Sequence, residues 1–218
     1  MKNILAAILA VLLFATACAP LPAKSTPIAN DKVLFSDDFS KPTSGWDRFQ
    51  DYAGVTDYAN VGYLIYIKSA NMIKWTNPTP AKAFPNDVHI EVDATMSFGP
   101  DNNAFGVICR YQDPDNYYYF YISSDGYAGI GKKQKGSHSI ISATDGKLGK
   151  VDGINTGAAS NHLRADCVGS NLTLYVNGKQ VATTKDSAFP GGNVGLIART
   201  YATGGADILF NNFFVYKP

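Results

Sequence analysis

The chain has 218 residues, a formal net charge of +1, 17% charged residues and 12% aromatics. A balance this close to neutral leaves no electrostatic basis for holding nucleic acid or an acidic surface. The three histidines and three cysteines are scattered without metal-ligand or redox spacing, and no nucleophile elbow of the form G-x-S-x-G occurs.

Met1, Lys2 and Asn3 precede the apolar run ILAAILAVLLFA. A basic start followed by a run too short for a comfortable membrane span reads as a signal peptide over residues 1–17. The run leads through Ala15-Thr16-Ala17 into Cys18, which resembles the bacterial lipobox, where the thiol is acylated and the preceding peptide removed. Ala at the first position of that motif departs from the usual Leu. An ordinary secretory signal cleaved near Ala17 or Ala19 is the alternative. One acyl chain binds a bilayer marginally and several bind it stably, so an acylated Cys18 implies a lipid-bilayer partner and an extracytoplasmic lipoprotein of the cell membrane or outer membrane. The rest of residues 18–32, rich in Pro, Ala and small polar residues, reads as a flexible tether.

Residues 33–218 suffice for one domain with a sizeable core. Short alternating runs follow one another: VLFSDDF, GYLIYIKS, VHIEVDATMSF, AFGVICRY, NYYYFYIS, AGIGKKQ, NHLRADCV, LTLYVNG, VGLIART and ADILFNNFFVY. Asp125-Gly126, Asp145-Gly146 and Asn177-Gly178 punctuate them, and the last is a strong hairpin signal. The spacing predicts an all-β, two-sheet antiparallel sandwich of the jelly-roll kind. Cys109 is in phase with Phe105 and Val107, and Cys167 with Leu163 and Ala165, so both should face the core. With Cys18 acylated they form an even pair in an oxidising compartment, and a bridge would contribute about 4 kcal/mol. Two separate buried thiols are the alternative.

The order of LFSDDFS, SGW, FGVICRY, NYYYFYISSDG, LTLYVNGKQV, GNVGLIA and ILFNNFFVY resembles the concanavalin A-like, laminin G-like jelly rolls of bacterial exported proteins. It is similar to 3-keto-disaccharide hydrolase domains and to related domains of unknown function, and the resemblance spans Val33 to Tyr216. It implies the fold; lectins, adhesion modules and glycanases share that fold. Many of these jelly rolls hold a structural calcium through an acidic residue near the start and an aspartate in the last strand. Asp37 and Asp38 are the candidates here, but Asn211 and Asn212 stand where relatives often have Asp, which lowers the charge available to a hard cation.

In HIEVDATMSF, Val88, Ile90, Val92, Ala94 and Met96 alternate with His89, Glu91, Asp93 and Thr95, giving one core face and one polar face. Family 16 glycoside hydrolases carry E-x-D-x-x-E or E-x-D-x-E on such a strand. Glu91 and Asp93 match the first two members, but the third falls on Thr95 or Met96, and Glu91 is the only glutamate of the chain. Retaining hydrolysis needs two carboxyls about 5 Å apart, so His89, Glu91 and Asp93 remain weak catalytic candidates. The plainer reading is a solvated face paired with Arg110 of a neighbouring strand. In NYYYFYIS, Tyr118, Phe120 and Ile122 should face the core and leave Tyr117, Tyr119 and Tyr121 outward. Tyrosine suits stacking on sugar rings, with Arg110, Glu91 and Asp93 as polar partners. Cross-strand aromatic pairs and cover by another domain are the alternatives. Trp46 is expected in the core and Trp75 at a rim.

The chain therefore reads as a membrane-anchored carbohydrate-binding module. A sugar-active hydrolase and a protein-interaction module are the alternatives. Replacing Cys18 by Ser should release the protein from membranes in a detergent-free wash; retention at wild-type levels would refute acylation as the anchor.

Overall fold

The computed structural model describes residues 32–59, 62–79 and 84–218. The signal peptide, Cys18 and the tether up to residue 31 lie outside the described residues. Sixteen strands and no α-helix occur among the described residues, and every strand pairing is antiparallel.

The nine-stranded sheet runs in the order β14 (Lys179–Lys185), β13 (Asn171–Val176), β12 (Ser160–Val168), β6 (Val88–Phe98), β16 (Ala206–Tyr216), β4 (Gly62–Ile67), β3 (Gly54–Ala59) and β2 (Phe49–Asp51). The end of β16 also pairs with β1 (Val33–Asp37). The seven-stranded sheet runs β10 (Ser137–Ile140), β9 (Tyr127–Gln134), β8 (Asn116–Ser123), β7 (Ala104–Asp113), β15 (Asn193–Arg199) and β5 (Ile73–Thr76). Short β11 (Gly149–Lys150) pairs with β9. The last strand of the chain thus sits in the middle of its sheet, between β6 and β4, as a two-sheet sandwich with crossovers requires.

The alternation read in HIEVDATMSF is the one the fold uses. Val88, Ile90, Val92, Ala94 and Met96 are buried between the sheets against Phe105, Val107 and Cys109 of β7 and Tyr118, Phe120 and Ile122 of β8. Trp46 is buried in the same core, its ring 4.9 Å from that of Phe213. At the β13–β14 hairpin Asn177 and Gly178 have φ of 50° and 82°. A two-residue turn with positive φ at both positions matches the twist of the flanking strands, and Asn-Gly adopts it at least cost.

Cys109 and Cys167 are joined in a disulfide. Because β7 and β12 belong to different sheets, the bridge staples one layer of the sandwich to the other. A further consequence of the topology is that β6 and β7, consecutive in sequence, lie in opposite sheets.

Replacing Ile90 by Ala should cost on the order of 2 to 5 kcal/mol, because it removes buried methylenes and leaves a cavity. Glu91→Gln, on the opposite face, should cost under about 1 kcal/mol. Urea denaturation of the two variants checks this, and equal losses would contradict the assignment of faces.

Candidate functional site

Strand β8 has large side chains on both faces. Tyr118, Phe120 and Ile122 enter the inter-sheet core, while Tyr117, Tyr119 and Tyr121 stand on the outer face of the seven-stranded sheet. Their phase is as expected, but their exposure is not: all three are at most 1% accessible. The cause lies in the neighbouring strands. On the same face β7 presents Ala104, Gly106 and Ile108, and β9 presents Gly129 and Gly131. These small residues let the rings lie down on the sheet; a methyl group at Gly131 would fall inside the Tyr119 ring. Trp75, Tyr111, Ile140, Leu148 and Tyr201 then pack around the rings as a second hydrophobic cluster, separate from the inter-sheet core. Tyr119 and Tyr121 have centroids 4.7 Å apart, and Tyr111 stacks on Tyr117 at 5.7 Å.

Cover by this layer is incomplete. A cavity of about 440 Å³ opens over the sheet, within the range of small-ligand sites. Tyr119, Tyr121, Arg199 and Tyr201 form its floor, His138 of β10 one wall, and Gly146 to Leu148 the facing loop. Asn102, Ser123, Asp125 and Tyr127 complete the rim. Tyr117 is packed behind this group and does not line the opening.

The polar atoms at the cavity are unevenly satisfied. The Tyr119 hydroxyl donates to the Ser139 carbonyl at 3.2 Å. The hydroxyls of Tyr117 and Tyr121 and the Nδ1 of His138 are buried with no hydrogen-bond partner among the described residues. Burial pushes the Tyr119 phenol up to about 12 and raises Tyr117 and Tyr121 as well, so all three are protonated at neutral pH. Burial, reinforced by Lys133 and Arg199, pushes His138 down to about 4, leaving a neutral imidazole. A buried polar atom left without a partner costs roughly 1 to 3 kcal/mol.

His89, Glu91 and Asp93 lie on the opposite side of the molecule, on the outer face of the nine-stranded sheet. There β12 places His162, Arg164 and Asp166 beside them. His89 Nδ1 is 2.6 Å from Asp166, which also takes a two-pronged hydrogen bond from Arg164 at 2.7 and 2.8 Å. His162 Nδ1 is 2.8 Å from Asp93 and its Nε2 3.7 Å from Glu91, and Asn212 donates to Asp93 at 2.8 Å. This face satisfies itself.

The predicted convergence of Arg110, Glu91 and Asp93 with the tyrosines therefore does not occur. Arg110 is 3% exposed, at a bulge of β7 with φ of 52°. Its guanidinium donates to the carbonyls of Asn86, Phe189 and Gly169 at 2.8 to 3.1 Å and to Asp87 at 3.3 Å. It ties loops at the end of the sandwich and does not pair with β6, because β6 and β7 are in different sheets. Asp37 accepts from the Phe39 amide at 2.8 Å and the Trp46 indole at 2.9 Å, and Asp38 from Ser40. Among the described residues no group of three or more His, Cys, Asp or Glu could hold a metal ion. Trp75 packs at 6.3 Å from Tyr117, beside a second cavity that it lines with Phe49 and Lys74. His138, Arg199 and Tyr201 escaped the reading of the sequence. The signal that could have found the covered floor is the Gly-x-Gly of β9, in phase with the outward tyrosines.

No family model matches the chain, and no curated protein matches it in sequence. Solved structures do match. The carbohydrate-binding module CBM66 from Bacillus subtilis superposes with a TM-score of 0.61 at 20% identity, covering 80% of this chain and 96% of that one. A protein of unknown function with a galectin-like fold, also from Bacillus subtilis, gives 0.61 at 9% identity over 85% of this chain and 96% of that one. The carbohydrate recognition domain of Emp47p gives 0.59 at 11% identity over 87% and 99%. The GH43 protein BlXynB from Bacillus licheniformis gives 0.62 at 14% identity, and there this chain covers 41% of the longer protein. The fold is a concanavalin A/galectin-like jelly roll.

Folded His138 holds its proton less tightly than the unfolded chain does, so the unfolded state binds more protons between about pH 4 and 6.5. The stability this neutral ring contributes is fully present above about pH 6.5 and is lost as pH falls toward 4. The thermal midpoint of wild type should fall relative to that of His138→Gln as the pH drops from about 6.5 to 4. Parallel curves would rule the assignment out.

Proposed function

We propose that the chain is a membrane-anchored, extracytoplasmic carbohydrate-binding module whose ligand enters the cavity on the outer face of the seven-stranded sheet. One observation carries the site: an opening of about 440 Å³ lined by the rings of Tyr127 and Tyr201 and by the charged groups of Arg199, Lys147 and Asp125. A sugar ring offers apolar C–H faces to aromatic rings and hydroxyls to polar and charged groups, so it suits both halves of this lining at once. The similarity to a carbohydrate-binding module and to a carbohydrate recognition domain supports the same reading. The disulfide suits an oxidising compartment outside the cytoplasm, and acyl chains on Cys18, exposed once the apolar leader is removed, would be the anchor.

The test is a glycan array on residues 33–218, followed by titration of the best ligand against Tyr127→Ala. Tyr127 is 38% exposed at the rim, so removing its ring should change unliganded stability by less than about 1 kcal/mol, while affinity falls roughly fivefold to tenfold. An array without binding, or a variant that binds as well as wild type, would remove the support for this site.

A further inference from the structure

The chain has four arginines, and three of them are matched to aspartates. Arg48 forks onto Asp57 at 2.5 and 3.1 Å, Arg110 reaches Asp87 at 3.3 Å, and Arg164 forks onto Asp166. Arg199 forms no ion pair among the described residues. It is the last residue of β15, in phase with Ile197 on the outer face, and it lines the tyrosine cavity. Its guanidinium lies 4.8 Å from the centre of the Tyr201 ring, a cation–π contact.

The other charges at the cavity do not neutralise it. Asp125, at the rim, accepts from the Ser123 hydroxyl and lies beside Lys150, which donates to its carbonyl. Lys147 stands on the facing loop. The lining thus holds two cations and one acid. Holding a half-buried cation without a counter-ion is costly, whereas an incoming anion would turn the same group into a charge-assisted pair. The planar fork of a guanidinium matches the two oxygens of a carboxylate, which a neutral sugar lacks.

We infer that the sugar taken by this cavity is anionic, its acidic group, a uronate carboxylate or a sulfate ester, set against Arg199. This rests on the carbohydrate-binding reading and narrows it. Binding should therefore weaken with added salt, since the pair is only partly buried.

Calorimetric titration of residues 33–218 with trigalacturonate and trimannuronate, their carboxyl-reduced forms, and a sulfated galactose trisaccharide tests it. At least one acidic trisaccharide should bind tenfold or more tighter than the neutral forms, and which of them does so tells carboxylate from sulfate. Arg199→Gln should abolish that preference with an unchanged thermal midpoint, while Arg199→Lys should keep part of it. Equal binding of acidic and neutral sugars, or a preference untouched in Arg199→Gln, would overturn the inference. If neutral sugars bind and depend on Tyr127 but not on Arg199, the anionic assignment falls and the carbohydrate reading stands. If neither the acidic trisaccharides nor any sugar of the array binds the wild type, both fall.

Discussion

Strand β8 is buried on both faces, and much of the molecule follows from that constraint. Successive side chains of a strand point to opposite sides, so a run of aromatics cannot put all of them into one core. Tyr118, Phe120 and Ile122 fill the space between the sheets; Tyr117, Tyr119 and Tyr121 need a second layer of their own. That layer is assembled from glycines on β9, which make room for the rings, and from Ile140, Leu148, Trp75 and Tyr201, which cover them. Because the cover is made of loops and a short edge strand, it leaves a cavity, and the hydroxyls beneath it are only partly satisfied.

The two sheets are held in register by contacts between groups far apart in sequence. The Cys109–Cys167 bridge joins β7 to β12, and Arg110 gathers three carbonyls and Asp87 at the same end of the sandwich. Asp186, after β14, accepts from the Tyr118 hydroxyl at 2.5 Å and from Lys132 at 2.7 Å, tying the edge of one sheet to the middle of the other. Burial tends to raise this carboxyl, and the hydrogen bonds from Lys132 and Tyr118 outweigh it, so its pKa is lowered. Charged groups inside a β-sandwich are tolerated when each has its partners, and Arg110 and Asp186 meet that condition.

The outer faces of the two sheets differ in the same terms. On the nine-stranded sheet, β6 and β12 place histidines and carboxylates opposite one another, and His89, His162, Arg164, Asp93 and Asp166 are all engaged. On the seven-stranded sheet the polar groups are fewer and less complete: two tyrosine hydroxyls, a neutral imidazole and an arginine without a carboxylate. A face whose groups are satisfied gains little from a ligand. A face with unpaired donors in a formed opening gains much, so the seven-stranded sheet carries the functional reading.

Local pattern was enough for the architecture. The period-two alternation of HIEVDATMSF and AFGVICRY, the Asn177-Gly178 turn and the matched inward phase of Cys109 and Cys167 each express a rule acting within a few residues. Together they made the sandwich, its hairpin, the buried pair of sulfurs and the burial of Trp46 legible in the chain. The site was legible only in part. Phase put Tyr117, Tyr119 and Tyr121 on an outer face, but whether an outer face is open depends on what the adjacent strands and loops bring, and those come from residues 104–111, 129–131, 140–148 and 197–201. Arg110 could not be assigned from its neighbours, because the chain changes sheets between β6 and β7. Arg199 was silent for the same reason: in the sequence it is one basic residue at the end of a strand, and only packing reveals that no carboxylate among the described residues reaches it and that a tyrosine floor lies beside it. Alternation along the chain was sufficient to say which residues enter a core; which of the remaining groups find partners followed from packing alone, because partnering is set by strands that are neighbours in space and strangers along the chain.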